Sequence, residues 1–234
     1  GYNPPMPDLS LVQKISIWVV PVLLGITVHE VAHGWMARKL GDNTAFMLGR
    51  LTLNPLKHVD PMGTILIPGM LLLLQAGLMF GYAKPVPINW KNLRHPKRDM
   101  ALVAVAGPVA NLLMAVGWAL LLRLGTSLGD SGMALVYMGV AGIIINAILM
   151  MLNLLPLPPL DGGRVLTGLL PGPWAYKFSR IEPYGFFILI GLLVTGVLGI
   201  ILWPLISFLM SMMVPVSGLS AQKFQLLLLV LMGK

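Results

Sequence analysis

The residues with the clearest chemistry are two histidines and a glutamate in the stretch His29-Glu30-Val31-Ala32-His33. Histidines four residues apart lie on one face of a helix, about 5 to 6 Å apart at Cβ, so both imidazoles can reach one metal ion. Glu30 lies beside them and can take a proton from a water that the metal activates. This pattern is typical of zinc-dependent hydrolysis, and it arises by chance in a chain of this size with a probability on the order of 1% or less.

The motif stands inside an apolar run from Leu11 to Leu40, which Gly41 ends as a plausible helix stop. We predict a membrane-spanning helix over this run. A glutamate and two histidines in such a helix are costly unless they face a polar cavity, a metal or a partner, so a function inside the membrane is the default interpretation. The alternative is a set of buried polar residues that pair with other helices.

A catalytic tetrahedral zinc takes three protein ligands and leaves one position for water. The chain has no cysteine, so the third ligand must come from His, Asp or Glu. The acidic residues outside the motif are Asp8, Asp42, Asp60, Asp99, Asp130, Asp161 and Glu182.

Asp161 is the best candidate for the third ligand because it follows a spanning segment that three prolines end and because glycines follow it. To reach the depth of the histidines it must dip inward on non-helical backbone, which residues 154–160 can supply. His58 competes as a ligand, but it lies beside Lys57 and Asp60 and is expected to be solvated.

The composition indicates the elements that position these residues. Of 234 residues, 57% are hydrophobic and only 10% are charged, against roughly a quarter charged in a soluble domain. We predict an all-α integral membrane protein, a polytopic bundle of about four to six transmembrane helices forming one membrane-embedded domain over residues 1–234. The net charge of +8 is spread over short loops, which favours an effect on membrane topology over nucleic-acid binding.

Further spanning segments are predicted at residues 99–124, 133–153 and 185–213, and the tail 222–232 is too short to span. Between residues 42 and 82 we expect a re-entrant or short β segment. Residues 44–53 have the pattern of extended structure. An extended segment here could hold an unwound substrate by backbone pairing, or it could be scaffold only.

The loops 38–60 and 84–98 carry four and five basic residues, and a single full crossing between them would place them on opposite sides of the membrane. The positive-inside rule disfavours that arrangement. We therefore predict that residues 61–82 enter the membrane and return, breaking at Pro68-Gly69, so that both loops and the candidate site face the cytoplasm.

Three separated stretches carry a family resemblance: His29–His33, Ala106–Asn111 and Asn153–Gly162, which read HEVAH, AGPVAN and NLLPLPPLDG. In this order they resemble the site-2 proteases, the intramembrane zinc metalloproteases of peptidase family M50, and in particular the compact bacterial branch without a PDZ domain. The resemblance covers most of the chain. It implies a protease of the bacterial cell membrane that cuts single-span membrane proteins.

The resemblance also implies roles for individual residues. His29, His33 and Asp161 would ligate one zinc ion, and Glu30 would be the catalytic acid and base. Asn153 would hydrogen-bond the substrate backbone or the developing oxyanion. Asn111 would support the site, or equally well form an interhelical hydrogen bond beside Gly107.

Two other classes of function remain open at the level of the sequence. An ion or proton transporter could use the same buried cluster of His, Glu and Asp, and it would differ by lacking tightly bound zinc. A non-catalytic binder of membrane proteins is disfavoured because every expected catalytic residue is present.

Overall fold

The computed structural model describes residues 9–60, 63, 66 and 84–231. Within these residues the regular structure is helical and no strand occurs, which confirms the predicted all-α class. The helices are α1 (Leu11–Lys39), α2 (Thr44–Met47), α3 (Pro96–Ser127), α4 (Met133–Asn153), α5 (Asp161–Leu169), α6 (Gly172–Ser179), α7 (Glu182–Val194), α8 (Val197–Ser217) and α9 (Ala221–Leu231). Short 3₁₀ turns lie at Pro55–Lys57, Trp90–Asn92 and Gly129–Gly132.

In the described part of the chain, four helices are long and apolar enough to cross a membrane, namely α1, α3, α4 and α8. Their number agrees with the lower end of the predicted range. Helix α1 and helix α4 match the predicted segments 11–40 and 133–153 to within one residue, and α3 extends the predicted segment 99–124 at both ends. The tail helix α9 has 11 residues and is, as expected, too short to span.

The predicted spanning segment 185–213 is wrong in one respect, because the structure divides it into α7 and α8. The break falls at Gly196, whose φ of +76° is left-handed and therefore favours glycine. The Thr195 hydroxyl donates to the Gly191 carbonyl at 2.7 Å, where helix α7 ends. The sequence stays apolar across this break, so its hydropathy does not reveal where one helix ends and the next begins.

The expectation of extended structure at residues 44–53 is also wrong. Thr44–Met47 forms one helical turn, and the residues after it form turns and irregular backbone. The carboxylate of Asp42 accepts hydrogen bonds from the Thr44 backbone N–H at 3.1 Å and from its hydroxyl at 2.5 Å, which favours a helix start over a strand. The predicted re-entrant segment 61–82 lies outside the described residues except for positions 63 and 66, and it stays a prediction.

The chain forms two compact units. Unit I comprises Gly1–Gly25, Asn111–Leu154 and Tyr184–Lys234, and unit II comprises Ile26–Ala110 and Leu155–Pro183. In unit I, helix α4 packs against α8 and α9, and it also lies close to the second half of α3. A Cβ built on Gly139 would lie 2.5 Å from the Cβ of Leu122, so these two helices approach as closely as small residues permit in membranes.

In unit II, the loop that leads into α3 is fastened to the end of α1. The Arg94 backbone N–H donates to the Leu40 carbonyl at 3.0 Å, and the Asn89 backbone N–H donates to Asp42 at 2.8 Å. A small hydrophobic cluster of Ala37, Leu93 and Val103 lies buried between the same segments. This loop is therefore held in place, although residues 84–95 contain little regular structure.

Candidate metal centre

Three side chains that are distant in sequence converge in unit II. His29 Nε2 lies 2.9 Å from His33 Nε2, and Asp161 Oδ2 lies 3.2 and 3.3 Å from these two nitrogens. All three residues are buried, with 7 to 9% of their surface exposed. Three ligands bound tetrahedrally at about 2.0 to 2.1 Å from one ion are about 3.3 Å apart, which is close to the separations seen here.

The hydrogen bond on the far side of His33 determines which of its ring nitrogens has a lone pair. Its Nδ1 lies 2.8 Å from the Val103 carbonyl, which can only accept, so Nδ1 carries the proton. In the neutral imidazole, Nε2 then points a lone pair toward His29 and Asp161. A carbonyl that fixes the tautomer of a histidine in this way is typical of metal sites.

Asp161 is the first residue of α5, and the residues before it carry it to the histidines. Helix α4 ends at Asn153, and residues 154–160 are non-helical, as predicted. Gly163 lies directly over the Pro158 backbone, so that any Cβ there would collide with the Pro158 nitrogen. Close contact between this loop and the first turn of α5 sets the position of the Asp161 carboxylate.

The Asp161 carboxylate has one buried oxygen, Oδ2, without a hydrogen-bond partner. Burial alone would raise the pKa of this carboxyl, but its contacts with His29 and His33 outweigh burial and lower the pKa to about 2. Asp161 Oδ2 lies 3.3 Å from Nε2 of His33, the ring nitrogen whose lone pair the Val103 contact leaves free of a proton in the neutral imidazole. A cation at this point would satisfy both, so the three residues fit a zinc ion.

Gly107 forms a wall of the cluster. A Cβ built at this position would lie 2.6 Å from carbons of both imidazoles and would collide with His33 Nε2. No side chain larger than hydrogen fits without moving the two histidines. Gly107 therefore packs directly against the imidazole rings of His29 and His33.

Glu30 is half-buried, and its Oε2 accepts a hydrogen bond from the backbone N–H of Val86 at 2.8 Å. Val86 belongs to the irregular loop that precedes α3. Sequence reasoning missed this contact because a valine that contributes only its backbone has no chemical signature. The prolines on both sides are the available signal, because they leave Val86 with the one N–H of residues 85–87.

The two asparagines among the predicted site residues belong to unit I. Asn111 is fully buried in unit I, where its amide donates to the Gly25 carbonyl at 3.2 Å and to Asn146 Oδ1 at 2.8 Å. This is the interhelical hydrogen bond that the sequence left open. Asn153 also belongs to unit I, and its amide donates to the Leu149 carbonyl of its own helix at 2.9 Å.

The expectation that His58 is solvated is wrong, because only 1% of this residue is exposed. Its Nε2 donates to the Thr52 carbonyl at 2.9 Å, which folds the loop back over the ring. Among the described residues, the one group of three His, Asp or Glu side chains able to share a metal ion is His29, His33 and Asp161. His58 is not part of it.

Comparison with known proteins agrees with this chemistry. No protein-family model and no solved structure matches the chain. YwhC of Bacillus subtilis is 41% identical over 81% of this chain and 85% of its own length. Rip2 of Mycolicibacterium smegmatis is 33% identical over 81% and 71%, and MJ0611 of Methanocaldococcus jannaschii is 31% identical over 68% and 73%. Each of these relatives bears the name "Putative zinc metalloprotease".

The chain belongs to the site-2 protease family. As a site-2 protease it is a zinc metalloendopeptidase and a membrane protein with several spanning helices. Zinc is its cofactor, and the buried group of His29, His33 and Asp161 is able to hold it. This membership favours the enzyme over the transporter and over the non-catalytic binder.

Proposed function

We propose that this site-2 protease hydrolyses peptide bonds within or beside the transmembrane segments of single-span membrane proteins. In this proposal His29, His33 and Asp161 ligate one zinc ion and Glu30 is the catalytic acid and base. The observation that carries the proposal is that both histidines and Glu30 lie in α1, a helix long and apolar enough to span the membrane. A peptide bond that reaches them must therefore enter the membrane region.

When bound, zinc supplies Lewis acidity, which makes water nucleophilic near neutral pH and polarises a carbonyl. Glu30 takes the proton of the attacking water and returns it to the leaving amine. The Val86 N–H holds one oxygen of the Glu30 carboxylate, so the other oxygen, Oε1, exchanges this proton. The Val103 carbonyl holds the ring of His33, and Gly107 leaves the space that both rings need.

The substrate must present its backbone in an accessible form. A helical segment hides its carbonyls in hydrogen bonds, so a few residues around the scissile bond must unwind before cleavage. In the proposal, Asn153 hydrogen-bonds the unwound substrate backbone or the developing oxyanion. Asn111 instead supports the helices from within unit I, as its hydrogen bonds to Gly25 and Asn146 favour.

We further propose that the protein resides in the bacterial cell membrane with its active site toward the cytoplasmic side. The basic loops at residues 38–60 and 84–98 support this orientation, because Lys and Arg concentrate in cytoplasmic loops. Helix α1 ends in Arg38 and Lys39, six residues beyond His33, so the site lies nearer to this basic end of the helix.

The proposed function is tested with the purified chain in liposomes and a single-span peptide that carries a helix-breaking residue and a fluorophore–quencher pair. Wild-type protein should cleave it, and a zinc chelator should abolish cleavage. Glu30→Gln should reduce the rate by about 10² to 10⁴, the range for a general acid and base, while zinc stays bound.

Glu182→Gln is the matched control because Glu182 is the other glutamate of the chain and forms only a half-exposed ion pair with Arg164 at 3.7 Å. It should cleave at nearly the wild-type rate. Full activity of Glu30→Gln would remove the proposed role of Glu30. Cleavage of a soluble unstructured peptide with no cleavage of the single-span peptide would overturn the proposed substrate class.

A further inference from the structure

One peptide group joins a cation to the proposed catalytic base. The guanidinium Nη2 of Arg50 donates to the Lys84 carbonyl at 3.1 Å and to the Pro85 carbonyl at 3.3 Å. The Pro85 carbonyl and the Val86 N–H belong to the same peptide bond, and this N–H donates to Glu30 Oε2 at 2.8 Å. The Pro85–Val86 peptide therefore accepts from Arg50 through its oxygen and donates to Glu30 through its nitrogen.

The backbone around this peptide is well constrained. Pro85 and Pro87 fix their own φ angles, and a residue before proline is restricted to extended conformations. The Val86 side chain is buried, with 5% of its surface exposed. On the other side, the Lys84 N–H donates to the His58 carbonyl at 2.9 Å, which ties the segment to the loop that also holds Arg50.

We infer that Arg50 is a positioning residue, which holds the Glu30 carboxylate in its reactive orientation through the Pro85–Val86 peptide. The inference rests on the proposed role of Glu30. A carbonyl that accepts from a cation makes the N–H of the same peptide a stronger donor, and a hydrogen bond to a carboxylate is among the stronger ones. Both hydrogen bonds come from the same nitrogen, Nη2, so this one cationic group contacts two successive carbonyls.

The first test does not depend on activity. Hydrogen exchange is measured by mass spectrometry on the purified full chain, in a peptide that covers residues 84–88. Since Pro85 and Pro87 have no amide hydrogen, Val86 is the one exchangeable amide of residues 85–87. Arg50→Gln should speed its exchange about tenfold, in keeping with the weakening of a charge-assisted hydrogen bond.

Lys57→Ala is the matched control because Lys57 is an exposed basic residue of the same loop. It removes one positive charge without touching the peptide, and both exchange and cleavage should stay at wild-type values. Arg50→Lys should give an intermediate exchange rate. It also serves as the second test variant if Arg50→Gln folds poorly.

The second test separates positioning from substrate binding. With the single-span peptide as substrate, Arg50→Gln should lower kcat about tenfold while KM stays within about twofold and zinc content is unchanged, as for a misplaced catalytic group. Arg50→Lys should recover part of kcat. Lost zinc binding in both variants would mean that Arg50 acts on the fold, which would contradict the inference.

A double-mutant cycle tests the route through the peptide. Val86→Pro removes the N–H, whereas Val86→Ala keeps it. Arg50→Gln should lower kcat in the Val86→Ala background and have no further effect in the Val86→Pro background. Equal effects in both backgrounds would overturn the inference, and so would wild-type exchange and kcat in both Arg50 variants. Either of these two results would refute only the role of Arg50. The proposed function would still stand if wild type cleaves the substrate and Glu30→Gln does not.

Discussion

Two buried polar clusters lie on the same pair of helices and differ in how their atoms are satisfied. In unit I, Asn111 of α3 donates to the Gly25 carbonyl of α1 and to Asn146, whose own amide donates to the Gly142 carbonyl at 2.9 Å. In unit II, His29 and His33 of α1 face Asp161 beside Gly107 of α3. The first cluster pairs donors with acceptors, whereas in the second an Nε2 lone pair of neutral His33 faces the carboxylate oxygen of Asp161.

The difference distinguishes a structural polar group from a functional one. A side-chain amide has both donors and an acceptor, so two amides can satisfy each other inside a membrane protein. A carboxylate oxygen and an imidazole lone pair cannot, and Asp161 Oδ2 has no hydrogen-bond partner. A cation between them satisfies both, so the balance of donors and acceptors is a better guide to a metal site than burial alone.

The largest effect is expected from Asp161→Ala, which removes the one anionic member of the second cluster. Zinc affinity should fall by more than about 100-fold, because loss of even an outer partner of a ligand costs 10- to 100-fold. Zinc content after dialysis against a graded chelator measures this. Asp130→Ala, at an exposed position in the turn before α4, is the control and should retain zinc. Equal zinc retention in both variants would remove Asp161 from the site.

Gly107→Ala tests whether the space beside the two imidazoles is required. Its added methyl must displace both rings, so we expect a loss of zinc affinity of about 10- to 100-fold. Gly117→Ala is the control in the same helix, where nothing lies within 4 Å of the added carbon, and it should bind zinc as tightly as wild type. If the two variants bind zinc alike, the rings are not confined by Gly107.

Two asparagine variants separate a role in stability, expected for Asn111, from a role in catalysis, expected for Asn153. Asn111→Ala removes the amide that donates to Asn146 Oδ1 and to the Gly25 carbonyl, and it should lower the free energy of unfolding by about 1 to 2 kcal/mol, with zinc retained. Asn153→Ala removes a hydrogen bond within one helix and should change stability by less than about 0.5 kcal/mol while reducing kcat. Unfolding in detergent and steady-state kinetics distinguish them, and the opposite pattern would exchange the two roles.

The smallest effect concerns Asp42, another buried carboxylate, which accepts hydrogen bonds from Thr44, Asn89 and Asn92. Burial raises its pKa, but hydrogen bonds from Thr44, Asn89 and Asn92 outweigh burial and lower it. A lowered pKa in the folded state means that the ionised group stabilises the fold above its unfolded pKa of about 3.9 and loses this contribution as pH falls through the folded value.

Asp42→Asn should therefore reduce the free energy of unfolding by about 1 kcal/mol near pH 7. The difference from wild type should shrink at pH values below about 4, where the wild-type carboxyl takes up a proton. Unfolding curves at several pH values measure this difference. A difference that is constant with pH would show that ionisation of Asp42 does not stabilise the fold.

Much of the fold and the site could be predicted because they depend on local patterns. Helical spacing pairs His29 with His33, and the short inventory of acidic residues leads to Asp161. Long apolar runs predict α1, α3 and α4. The same reasoning erred where one contact decides the backbone, as with Asp42, whose carboxylate starts a helical turn at Thr44 where a strand was expected.

Contacts made by backbone atoms could not be predicted, and neither could contacts that depend on the absence of a side chain. Gly107 meets His33 across more than 70 residues of sequence, and no residue type signals that a glycine faces a metal site. Val86 reaches Glu30 through its N–H alone. The burial of His58 and the break at Gly196 likewise depend on the arrangement of neighbouring backbone, on which hydropathy and spacing carry no information.

The central claim is that His29, His33 and Asp161 bind the zinc of this site-2 protease, and X-ray absorption at the zinc edge tests it most directly. The purified wild-type chain should hold one zinc per molecule, surrounded by two imidazoles and by oxygens at about 2.0 to 2.1 Å. Asp161→Ala should lose the ion or the carboxylate oxygen. A spectrum with fewer than two imidazoles, or a chain that cleaves its substrate with no zinc bound, would contradict the claim.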